Sequence, residues 1–554
     1  MRSGAKVAVV GSVFAVVAGG VGYGAYNLWN GVMGTTAASS SKAAPGTRSA
    51  GSGPVTGDEV ERTAKEFLAA WAGGDADAAG ELTNAAGTAT PAVRGFREEA
   101  HVSKAVITPG KAIGPKVPFT VDATVTYEGV SQRWTYASEL TVVRGVTTGR
   151  PLVDWQPAVI HPKLTKDAVL RTGEAPDPPV KAVDHEGREL TKEKYPSLGP
   201  VLDQLREKYG SETGGKPGVE TWIEPAAGGA AEGAARETLL TLAKGEPGEL
   251  RTTLDADVQA AAEQAVRRYG ESSVVAIKPS TGEIRAVANN RKDGFNAAFL
   301  GLQAPGSTMK IVTAAMMLDQ GVVSGPGDRV ECPANVTWDG VPFHNLNGFD
   351  IQGGTFRDSF RRSCNTAFIK AVKPLNDKGV AGTALGATAR TYFGIGEEWN
   401  TGVRSIDGSV PQSAGAETAA SYIGQGKITM NALNVASIAA TAKNGSFKQP
   451  VIVPRDLLDR APATARPLPG SIASALRDMM HATATTGTGA RAMSGLGTND
   501  KGAKTGSAEV DSQSSSNSWF TGYADDLAAA AVVQSGGHGG DAAGPLVASV
   551  LKAR

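Results

Sequence analysis

The sequence is poor in several residue types, and each scarcity excludes a class of protein. Its 554 residues include two cysteines and six scattered histidines, which cannot assemble a structural zinc site, so we expect no metal and no other cofactor. Basic and acidic residues are equal at 55 each, and this balance predicts no nucleic-acid partner. Aromatic residues make up 6% of the chain, which we attribute to a GC-rich genome rather than to chemistry.

Two familiar hydrolase motifs are also missing. The segment "HEGRE" at His185 begins like a zinc-protease helix but lacks the second histidine. No G-x-S-x-G elbow occurs, and this excludes the usual setting of a serine nucleophile beside histidine in α/β-hydrolases. A serine nucleophile in this chain therefore needs another base, and a desolvated lysine can provide one.

The N-terminal segment predicts a membrane anchor. Arg2 and Lys6 precede twenty uncharged residues, 7–26, which are long enough to span a bilayer. Positive charges before the span keep the N-terminus in the cytoplasm and place the bulk of the chain outside the cell membrane. We expect 1–34 to be a cytoplasmic N-terminus with a single-pass anchor, and 35–56 to be a flexible tether. A cleaved signal peptide is the alternative, whereas the lack of a following cysteine excludes a lipoprotein anchor.

Residues 57–163 predict a small α+β domain. Residues at helical spacing indicate a first helix: Val60, Ala64, Phe67, Leu68 and Trp71. After a weaker helical stretch the period changes to two, in "FTVDATVTY" and "RWTYASELTVV", and "RPLVDWQPAVI" predicts a further strand. Helices followed by an antiparallel meander form one compact α+β unit. Its aromatic residues fit a core, and no catalytic constellation is visible in it.

The remaining chain divides at about residue 250. Residues 164–250 show a weak pattern with one helix, "PSLGPVLDQLREKYG", and we expect a small connecting pedestal. In 251–554 a hairpin, "SSVVAIKPSTGEIRAVAN", precedes a mainly helical body, and three strands and a helix close the chain. We expect the hairpin and the late strands to form one five-stranded antiparallel sheet, with the helical body inserted between them. A cleft then lies where sheet and helices meet.

A lysine in an apolar helix marks the candidate site. Residues 309–318 are apolar on nearly every side except at Lys310, and a lysine is almost never buried without a partner or a function. Ser307 lies three residues earlier on the same helical face, and either Ser307 or Thr308 can cap the helix. The same Ser-x-x-Lys spacing occurs twice near the N-terminus without chemical meaning, so the motif alone is weak evidence.

Two further motifs follow in order. The segment "RRSCNTAF" contains Ser363-Cys364-Asn365, and "AKTGSAEV" contains Lys504-Thr505-Gly506 on a predicted strand. With "PGSTMK", "IGQGKITMNALNVA" and "WFTGYAD", these motifs resemble the transpeptidase domain of penicillin-binding proteins over 251–554. Residues 57–163 resemble, more weakly, the NTF2-like domain that precedes some of these enzymes. The layout is similar to class B, monofunctional members of actinobacterial type.

The resemblance implies a role for each motif residue. Ser307 would be the nucleophile and Lys310 its base, and Ser363 would relay a proton between the lysine and the leaving or entering amine. Asn365 would hold the peptide carbonyl group of the substrate. The backbone N–H groups of Ser307 and Ser507 would form the oxyanion hole.

The Lys-Thr-Gly strand would bind the carboxylate of the substrate. Lys504 would supply positive charge near Ser363 and the carboxylate, and the hydroxyl groups of Thr505 and Ser507 would bind that carboxylate. Gly506 belongs to the same substrate-binding strand. Ser507 stands where the family more often has threonine, so a hydroxyl group is kept and a methyl group is lost. We expect this difference to weaken the positioning of the substrate carboxylate only slightly.

The two cysteines are candidates for a disulfide. Ser363 and Asn365 must face the cleft, which turns Cys364 back into the helical body, and Cys332 lies on the stretch that leaves the Ser307 helix. An exported protein is in an oxidising compartment, so we expect Cys332 and Cys364 to be bonded. Two separate buried thiols are the alternative.

The resemblance implies a peptidoglycan D,D-transpeptidase that cross-links stem peptides through an acyl-enzyme on Ser307. Its partners would be the stem peptides of the lipid-linked precursor, β-lactams as inhibitors, and a cell-wall glycosyltransferase. A D,D-carboxypeptidase or β-lactamase would hydrolyse the same acyl-enzyme, but such enzymes usually lack a long N-terminal extension, and no E-x-x-L-N segment occurs here. A penicillin sensor would need a zinc protease and several membrane spans. A scaffold that recruits partners, with catalysis secondary, stays open.

Overall fold

The computed structural model describes residues 53–226, 236–510, 513 and 515–554. The predicted membrane segment and the larger part of the predicted tether lie outside these residues. Within them, no helix combines the length and the apolar composition that a membrane span needs. The chain forms two compact units. One contains the described residues up to Thr172 and those from Thr221 to Ala226, and the other contains Gly173–Glu220 and the described residues from Arg236 to Arg554.

The first unit begins with three helices and a four-stranded sheet. The helices are α1 (Gly57–Gly73), α2 (Ala76–Glu81) and α3 (Ala86–Glu98). The strands are β1 (Val102–Pro109), β2 (Lys116–Tyr127), β3 (Val130–Arg144) and β4 (Pro151–Val153). They lie in chain order and each neighbouring pair is antiparallel. The prediction of helices followed by an antiparallel meander is therefore confirmed.

Helix α1 shows why the first unit folds as it does. It begins at a capping box in which Thr56 and Glu59 accept hydrogen bonds from each other's backbone N–H groups. It ends at Gly74, which has a φ of 84° that glycine adopts without strain. Its apolar face buries Trp71, whose ring centroid lies 5.2 Å from that of Phe96 and 5.9 Å from that of Phe119. The aromatic residues of this unit thus form its core.

Two details of this unit differ from the sequence pattern. The segment "RPLVDWQPAVI" is a strand only over Pro151–Val153, and Pro157–Val159 form a 3-10 turn. Pro157 has no N–H group to donate to a sheet, and its fixed φ suits the start of a turn. Strand β1 has one buried residue, Val102, so it lacks the apolar alternation from which a strand is predicted.

The stretch from 164 to 250 contains more strand than its sequence indicates. Helix α4 (Gly199–Tyr209) is where the pattern predicts it. The strands are β5 (Ala168–Glu174), β6 (Val180–Val183), β7 (Val219–Pro225), β8 (Glu237–Ala243) and β9 (Gly248–Arg251). β6 and β9 pair in parallel, with Val180 beside Gly248. β6 and β9 have four residues each, and β5, β7 and β8 show no regular alternation of buried and exposed residues, so the sequence pattern predicts only the helix.

The second unit is built on a five-stranded antiparallel sheet. Its strands are β10 (Ser272–Ile277), β11 (Ile284–Asn290), β14 (Lys501–Ala508), β15 (Asn517–Ala524) and β16 (Leu527–Val533), while β12 (Asn335–Trp338) and β13 (Val341–His344) form a separate hairpin. The order across the sheet is β11-β10-β16-β15-β14. The early hairpin and the three late strands form one sheet as predicted, and β14, which carries the Lys-Thr-Gly motif, lies at its edge.

Helices cover both faces of this sheet. The helices of this unit that follow β9 are α5 (Ala256–Val266), α6 (Ala297–Leu300), α7 (Lys310–Asp319), α8 (Phe356–Arg361), α9 (Asn365–Ile369), α10 (Val372–Asp377), α11 (Ala381–Phe393), α12 (Ala416–Tyr422), α13 (Ala432–Asn444), α14 (Gly470–Thr486), α15 (Ala490–Met493) and α16 (Ala543–Leu551). Successive residues of a strand point to opposite faces. Val275 therefore lies in the core with α7 and α13, and Val274 lies in the core with α5 and α16. The inserted helical body and the edge of the sheet together position the candidate site.

Candidate active site

Ser307 lies on a turn where three segments of the chain meet. It belongs to the 3-10 turn Gly306–Met309, which runs directly into α7. Gly306 has a φ of 55°, and its N–H group donates to the carbonyl oxygen of Gly424 at 2.9 Å. A Cβ on Gly306 would come within 2.5 Å of the carbonyl oxygen of Ser507. Only glycine permits this approach, and it holds the Ser307 turn against strand β14.

The predicted side-chain cap at Ser307 or Thr308 is wrong. Neither the turn nor α7 begins with a side-chain cap hydrogen bond. The hydroxyl group of Thr308 donates instead to the carbonyl oxygen of Pro305 at 2.7 Å. Because the 3-10 turn continues into the helix, backbone carbonyl groups of the turn can serve the first N–H groups of the helix. The hydroxyl group of Ser307 is left to contact Lys310.

Lys310 is completely buried, and its ammonium group meets three oxygen atoms of the site. Its Nζ donates to Ser307 Oγ at 2.9 Å, to the carbonyl oxygen of Ser363 at 2.9 Å and to Asn365 Oδ1 at 2.7 Å. An ammonium group has three protons, so these contacts satisfy it. The lysine in the apolar helix is therefore buried because the two predicted serine motifs surround it.

Lys504 lies on the other side of Ser363. Its Nζ donates to Ser363 Oγ at 2.9 Å and to the carbonyl oxygen of Thr505 at 2.9 Å. Burial lowers the pKa of Lys504 to about 7. Burial, and then the charge of Lys504, hold the pKa of Lys310 well below its ordinary value. A lowered pKa increases the fraction of Lys310 in the neutral amine form, which is the form that can accept a proton.

Ser363 joins the two lysines from a strained backbone. Its φ is 59°, a left-handed conformation that costs a non-glycine residue about 1 kcal/mol. Its Oγ lies 2.9 Å from the Nζ of Lys504 and 3.4 Å from the Nζ of Lys310. Asn365 follows at the start of α9, where its Nδ2 donates to the carbonyl oxygen of His344 at 2.9 Å. The left-handed backbone and these hydrogen bonds place the side chains of both Ser363 and Asn365 beside Lys310.

Strand β14 brings the third motif to the Ser307 turn. Thr505 and Ser507 lie two residues apart on a strand, so their side chains share a face. Thr505 Oγ1 lies 2.7 Å from Thr488 Oγ1. A Cβ on Gly506 would lie 3.0 Å from the carbonyl oxygen of Pro305, so glycine lets the strand pass close to the turn. The backbone of the Lys-Thr-Gly motif is thus packed against the segment that carries Ser307.

The motif residues line one cleft of about 1050 Å³ in the second unit. The motif side chains on its wall are Ser307, Ser363, Asn365, Thr505 and Ser507, and Gly506 lies between the last two. Lys310 and Lys504 are buried behind the wall. Other lining residues include Phe343, His344, Arg362, Gln425, Thr488, Glu509 and Asp541. The structure therefore brings all three predicted motifs together, although Ser307, Ser363 and Lys504 are far apart in the chain.

The structure contains the disulfide between Cys332 and Cys364, with the two Cα atoms 6.3 Å apart. Both cysteines are buried. Ser363 and Asn365 line the cleft, whereas Cys364, which stands between them in the chain, does not. The bond ties the Ser-x-Asn segment to the stretch that leads into hairpin β12–β13. It therefore anchors the strained turn at Ser363 from behind.

Asn345 is a residue of this site that the sequence motifs do not reveal. It is fully buried after β13, and its Oδ1 accepts hydrogen bonds from the backbone N–H groups of Asn365 and Thr366. Its Nδ2 donates to the carbonyl oxygens of Pro333 at 2.9 Å and Phe349 at 2.8 Å. This one amide thus joins the hairpin to the Ser-x-Asn segment.

The sequence motifs also do not predict the hairpin β12–β13, although one local signal for it is present. Asp339 and Gly340, which connect β12 and β13, have φ values of 50° and 76°. An Asp-Gly pair between apolar residues is the usual turn of a two-residue hairpin. No such signal exists for Thr488 or Asn345, since threonine in a glycine-rich loop and asparagine after a strand are ordinary loop residues.

Known proteins match both units of the chain. The family model for the penicillin binding protein transpeptidase domain matches residues 272–552, and the model for the NTF2-like N-terminal transpeptidase domain matches residues 59–168. No curated protein sequence matches the chain. Among the solved structures that share the fold, three have 19–21% identity to this chain.

The first of these structures belongs to work on polymerization and crosslinking by a peptidoglycan synthase complex. It has a TM-score of 0.53, 21% identity, and coverage of 70% of this chain and 92% of its own. PBP2 from Pseudomonas aeruginosa has a TM-score of 0.52, 21% identity, and coverages of 68% and 96%. Penicillin binding protein 3 from Mycobacterium tuberculosis has a TM-score of 0.52, 19% identity, and coverages of 69% and 95%.

Proposed function

This chain belongs to the penicillin-binding protein transpeptidase family, and on that premise we propose that Ser307 carries the acyl group during D,D-transpeptidation of peptidoglycan. The observation that supports this role is the 2.9 Å contact between Ser307 Oγ and the Nζ of Lys310, an amine whose pKa is lowered by burial and by the charge of Lys504. A neutral amine at hydrogen-bond distance can take the hydroxyl proton as the serine attacks.

The first half of the reaction forms the acyl-enzyme. Ser307 Oγ attacks the carbonyl carbon of the penultimate D-alanine, and its proton passes to Lys310 Nζ. The C–N bond to the terminal D-alanine then breaks, and the leaving nitrogen takes the hydroxyl proton of Ser363. The proton on Lys310 Nζ then passes to Ser363 Oγ and restores that hydroxyl group. Ser363 suits this relay because its Oγ lies 3.4 Å from Lys310 and 2.9 Å from Lys504.

The second half transfers the acyl group. The amine of a neighbouring stem peptide attacks the ester carbonyl carbon and loses a proton through the same relay, and the C–O bond to Ser307 breaks as the hydroxyl group regains a proton. A new amide bond forms, and the enzyme returns to its starting state. If water replaces the amine, the same acyl-enzyme is hydrolysed, and the protein acts as a carboxypeptidase or β-lactamase.

The remaining motif residues would bind the donor peptide. Thr505 and Ser507 lie on the cleft wall and offer hydroxyl groups to its terminal carboxylate, with positive charge from Lys504 behind them. Asn365 would hold a peptide carbonyl group with its amide. The backbone N–H groups of Ser307 and Ser507 would form the oxyanion hole, because the turn and the strand that carry them touch at Gly306.

The setting of this reaction is also part of the proposal. A single N-terminal helix anchors the chain in the cell membrane, with the catalytic unit outside, where peptidoglycan is assembled. β-Lactams acylate Ser307 because they imitate the donor peptide. A cell-wall glycosyltransferase is the proposed partner, since one structural relative comes from a peptidoglycan synthase complex that polymerises and cross-links.

The test is covalent labelling with a fluorescent penicillin, followed by intact-mass spectrometry and peptide mapping. One adduct per chain is expected, on Ser307. Ser307→Ala should abolish it, and Lys310→Arg should reduce the acylation rate by at least about a hundredfold, because a guanidinium group does not release its proton. Ser471→Ala and Lys373→Arg, which change exposed residues, are the matched controls.

Three outcomes would contradict the proposal. An adduct on another serine, labelling of Ser307→Ala, or near-normal acylation of Lys310→Arg would each remove the proposed mechanism. Incubation of the enzyme with a donor peptide that ends in D-Ala-D-Ala and with an acceptor amine separates the two reactions. A product that joins donor and acceptor supports transpeptidation, whereas release of the donor acid alone, at a rate that the acceptor does not change, identifies a hydrolase.

A further inference from the structure

Thr488 touches both walls of the cleft, although it belongs to none of the three motifs. Its Oγ1 lies 2.7 Å from Thr505 Oγ1, and its backbone N–H group donates to the carbonyl oxygen of Arg361 at 3.0 Å. Arg361 stands two residues before Ser363, whereas Thr505 lies on β14. One residue therefore connects the segment that carries the Ser-x-Asn motif to the strand that carries the Lys-Thr-Gly motif.

The loop around Thr488 is packed closely against both walls of the cleft. A Cβ on Gly487 would come within 2.5 Å of the carbonyl oxygen of Arg361, and a Cβ on Gly489 would lie 3.0 Å from the Cβ of Ala503. Arg361 Nη1 also donates to the carbonyl oxygen of Thr486 at 3.2 Å. The two glycines let the loop fit between the walls, and this fit places the hydroxyl group of Thr488 beside that of Thr505.

We propose that Thr488 is a positioning residue for carboxylate recognition, which acts by holding the hydroxyl group of Thr505 as a donor to the ligand. This inference rests on the proposed function, in which Thr505 binds the terminal carboxylate of the donor peptide. It adds a specificity-determining residue, outside the motifs, for ligands that end in a carboxylate.

The number of hydroxyl protons determines which of the two threonines donates. Thr488 and Thr505 each have one hydroxyl proton, and in the free protein either oxygen can donate to the other. A carboxylate has only acceptor atoms, so Thr505 must donate to it and cannot also donate to Thr488. Thr488 must then donate to Thr505. A hydroxyl group that accepts one hydrogen bond is a stronger and better oriented donor for the next, because neighbouring hydrogen bonds polarise one another.

Removal of the Thr488 hydroxyl group should therefore weaken carboxylate binding without touching the acylation chemistry at Ser307. Thr488→Val keeps the shape of the side chain and loses the donor. A net hydrogen bond corresponds to a change of roughly two- to tenfold in binding, and we expect a loss in that range. Thr488→Ser keeps the hydroxyl group and should retain the parent behaviour.

The experiment measures the second-order rate of Ser307 acylation with benzylpenicillin and with its methyl ester, which lacks the carboxylate. In the parent protein the acid should react faster. In Thr488→Val the acid-to-ester ratio should fall by roughly two- to tenfold, while in Thr488→Ser it should remain. Thr486→Val is the matched control, since the hydroxyl group of Thr486 donates to the carbonyl oxygen of Ala482 in its own helix.

A second measurement separates positioning from a general loss of structure. If Thr488 acts through Thr505, Thr488→Val combined with Thr505→Val should be no slower with the acid than Thr505→Val alone. A Thr488→Val protein that keeps the parent acid-to-ester ratio, or slows both probes equally, overturns the inference. So does a double variant in which the two losses simply multiply. Failure of the parent protein to form an adduct on Ser307 overturns the proposed function itself, and the inference with it.

Discussion

Lys310 and Lys504 show how burial prepares side chains for chemistry. Both are completely buried, and both donate to oxygen atoms of the serine motifs rather than to carboxylates. An aromatic ring lies within 6 Å of each ammonium nitrogen, Phe368 beside Lys310 and Phe360 beside Lys504. The attraction between cation and ring offsets part of the hydration that each ammonium group loses on burial. The charged forms remain costly, which lowers the pKa of both lysines.

The lowered pKa of Lys504 predicts how the stability of the protein depends on pH. Burial lowers its pKa from 10.5 to about 7, so between these values the unfolded chain binds a proton that the folded chain does not. Stability therefore rises with pH across this window as far as Lys504 is concerned. In Lys504→Met this contribution is absent, because methionine does not titrate. The melting temperature of the variant minus that of the parent should be greatest near pH 6 and should fall as the pH approaches 10.

Thermal unfolding of both proteins in buffers from pH 6 to 10 checks this prediction. Lys501→Met, on the same strand but with a partly exposed side chain, is the matched control. A difference between variant and parent that stays constant, or grows with rising pH, would mean that the burial of Lys504 does not depress its pKa.

At the scale of elements, the turn that carries Ser307 depends on glycine at Gly424. This residue has a φ of 79°, and a Cβ there would lie 1.9 Å from the carbonyl oxygen of Gly306. Gly424→Ala should therefore displace the turn and slow acylation at Ser307 by at least about tenfold. Gly445 has the same φ of 79°, but a Cβ there would lie 3.6 Å from the Cβ of Ala473, an ordinary contact.

Gly445→Ala is thus a control with equal backbone strain and no clash. It should lose stability by about 1 kcal/mol, as a left-handed alanine does, and should keep a near-parent acylation rate. Rates measured with a fluorescent penicillin, beside melting temperatures, distinguish the two variants. Equal rates in both would show that strain alone, and not the position of the Ser307 turn, explains the effect of Gly424→Ala.

Elements with a strong local pattern were the predictable ones. Strands β10 and β16 contain apolar runs between turn residues, and α1 has an apolar face at helical spacing. Among the strands between 164 and 250, β6 and β9 have four residues each, and β5, β7 and β8 show no regular alternation of buried and exposed residues, so their sequences carry no comparable signal. The three motifs were predictable because each is a set of neighbouring residues with one chemistry.

The rest of the site was not predictable, because it depends on contacts between distant segments. The left-handed backbone of Ser363, the buried amide of Asn345 and the hydroxyl pair of Thr488 with Thr505 each require two or more segments to be in place. Residue type alone gives such positions the appearance of ordinary loop residues. Only the folded chain shows that they surround the motif residues.

At the scale of the whole molecule, the catalytic unit depends on joining the start of its chain to the end. Ser272 on β10 pairs with Val533 on β16, and the helical body that carries Ser307 and Ser363 is inserted between these strands. The edge strand β14 then closes against the body and completes the cleft. Ser307 and strand β14 come from distant parts of the unit, so the three motifs meet only when β14 has joined the sheet.

The sequence also predicts where the whole molecule resides. Arg2 and Lys6 precede the uncharged segment 7–26, and positive charges remain on the cytoplasmic side of a membrane span. Protease added to intact protoplasts should therefore digest peptides from both units, while an N-terminal fragment that includes 7–26 stays with the membrane. A cytoplasmic protein in the same cells is the control and should survive. Protection of the catalytic unit would reverse the orientation. Release of the chain into the medium, with an N-terminus beyond residue 34, would identify a cleaved signal peptide instead of an anchor.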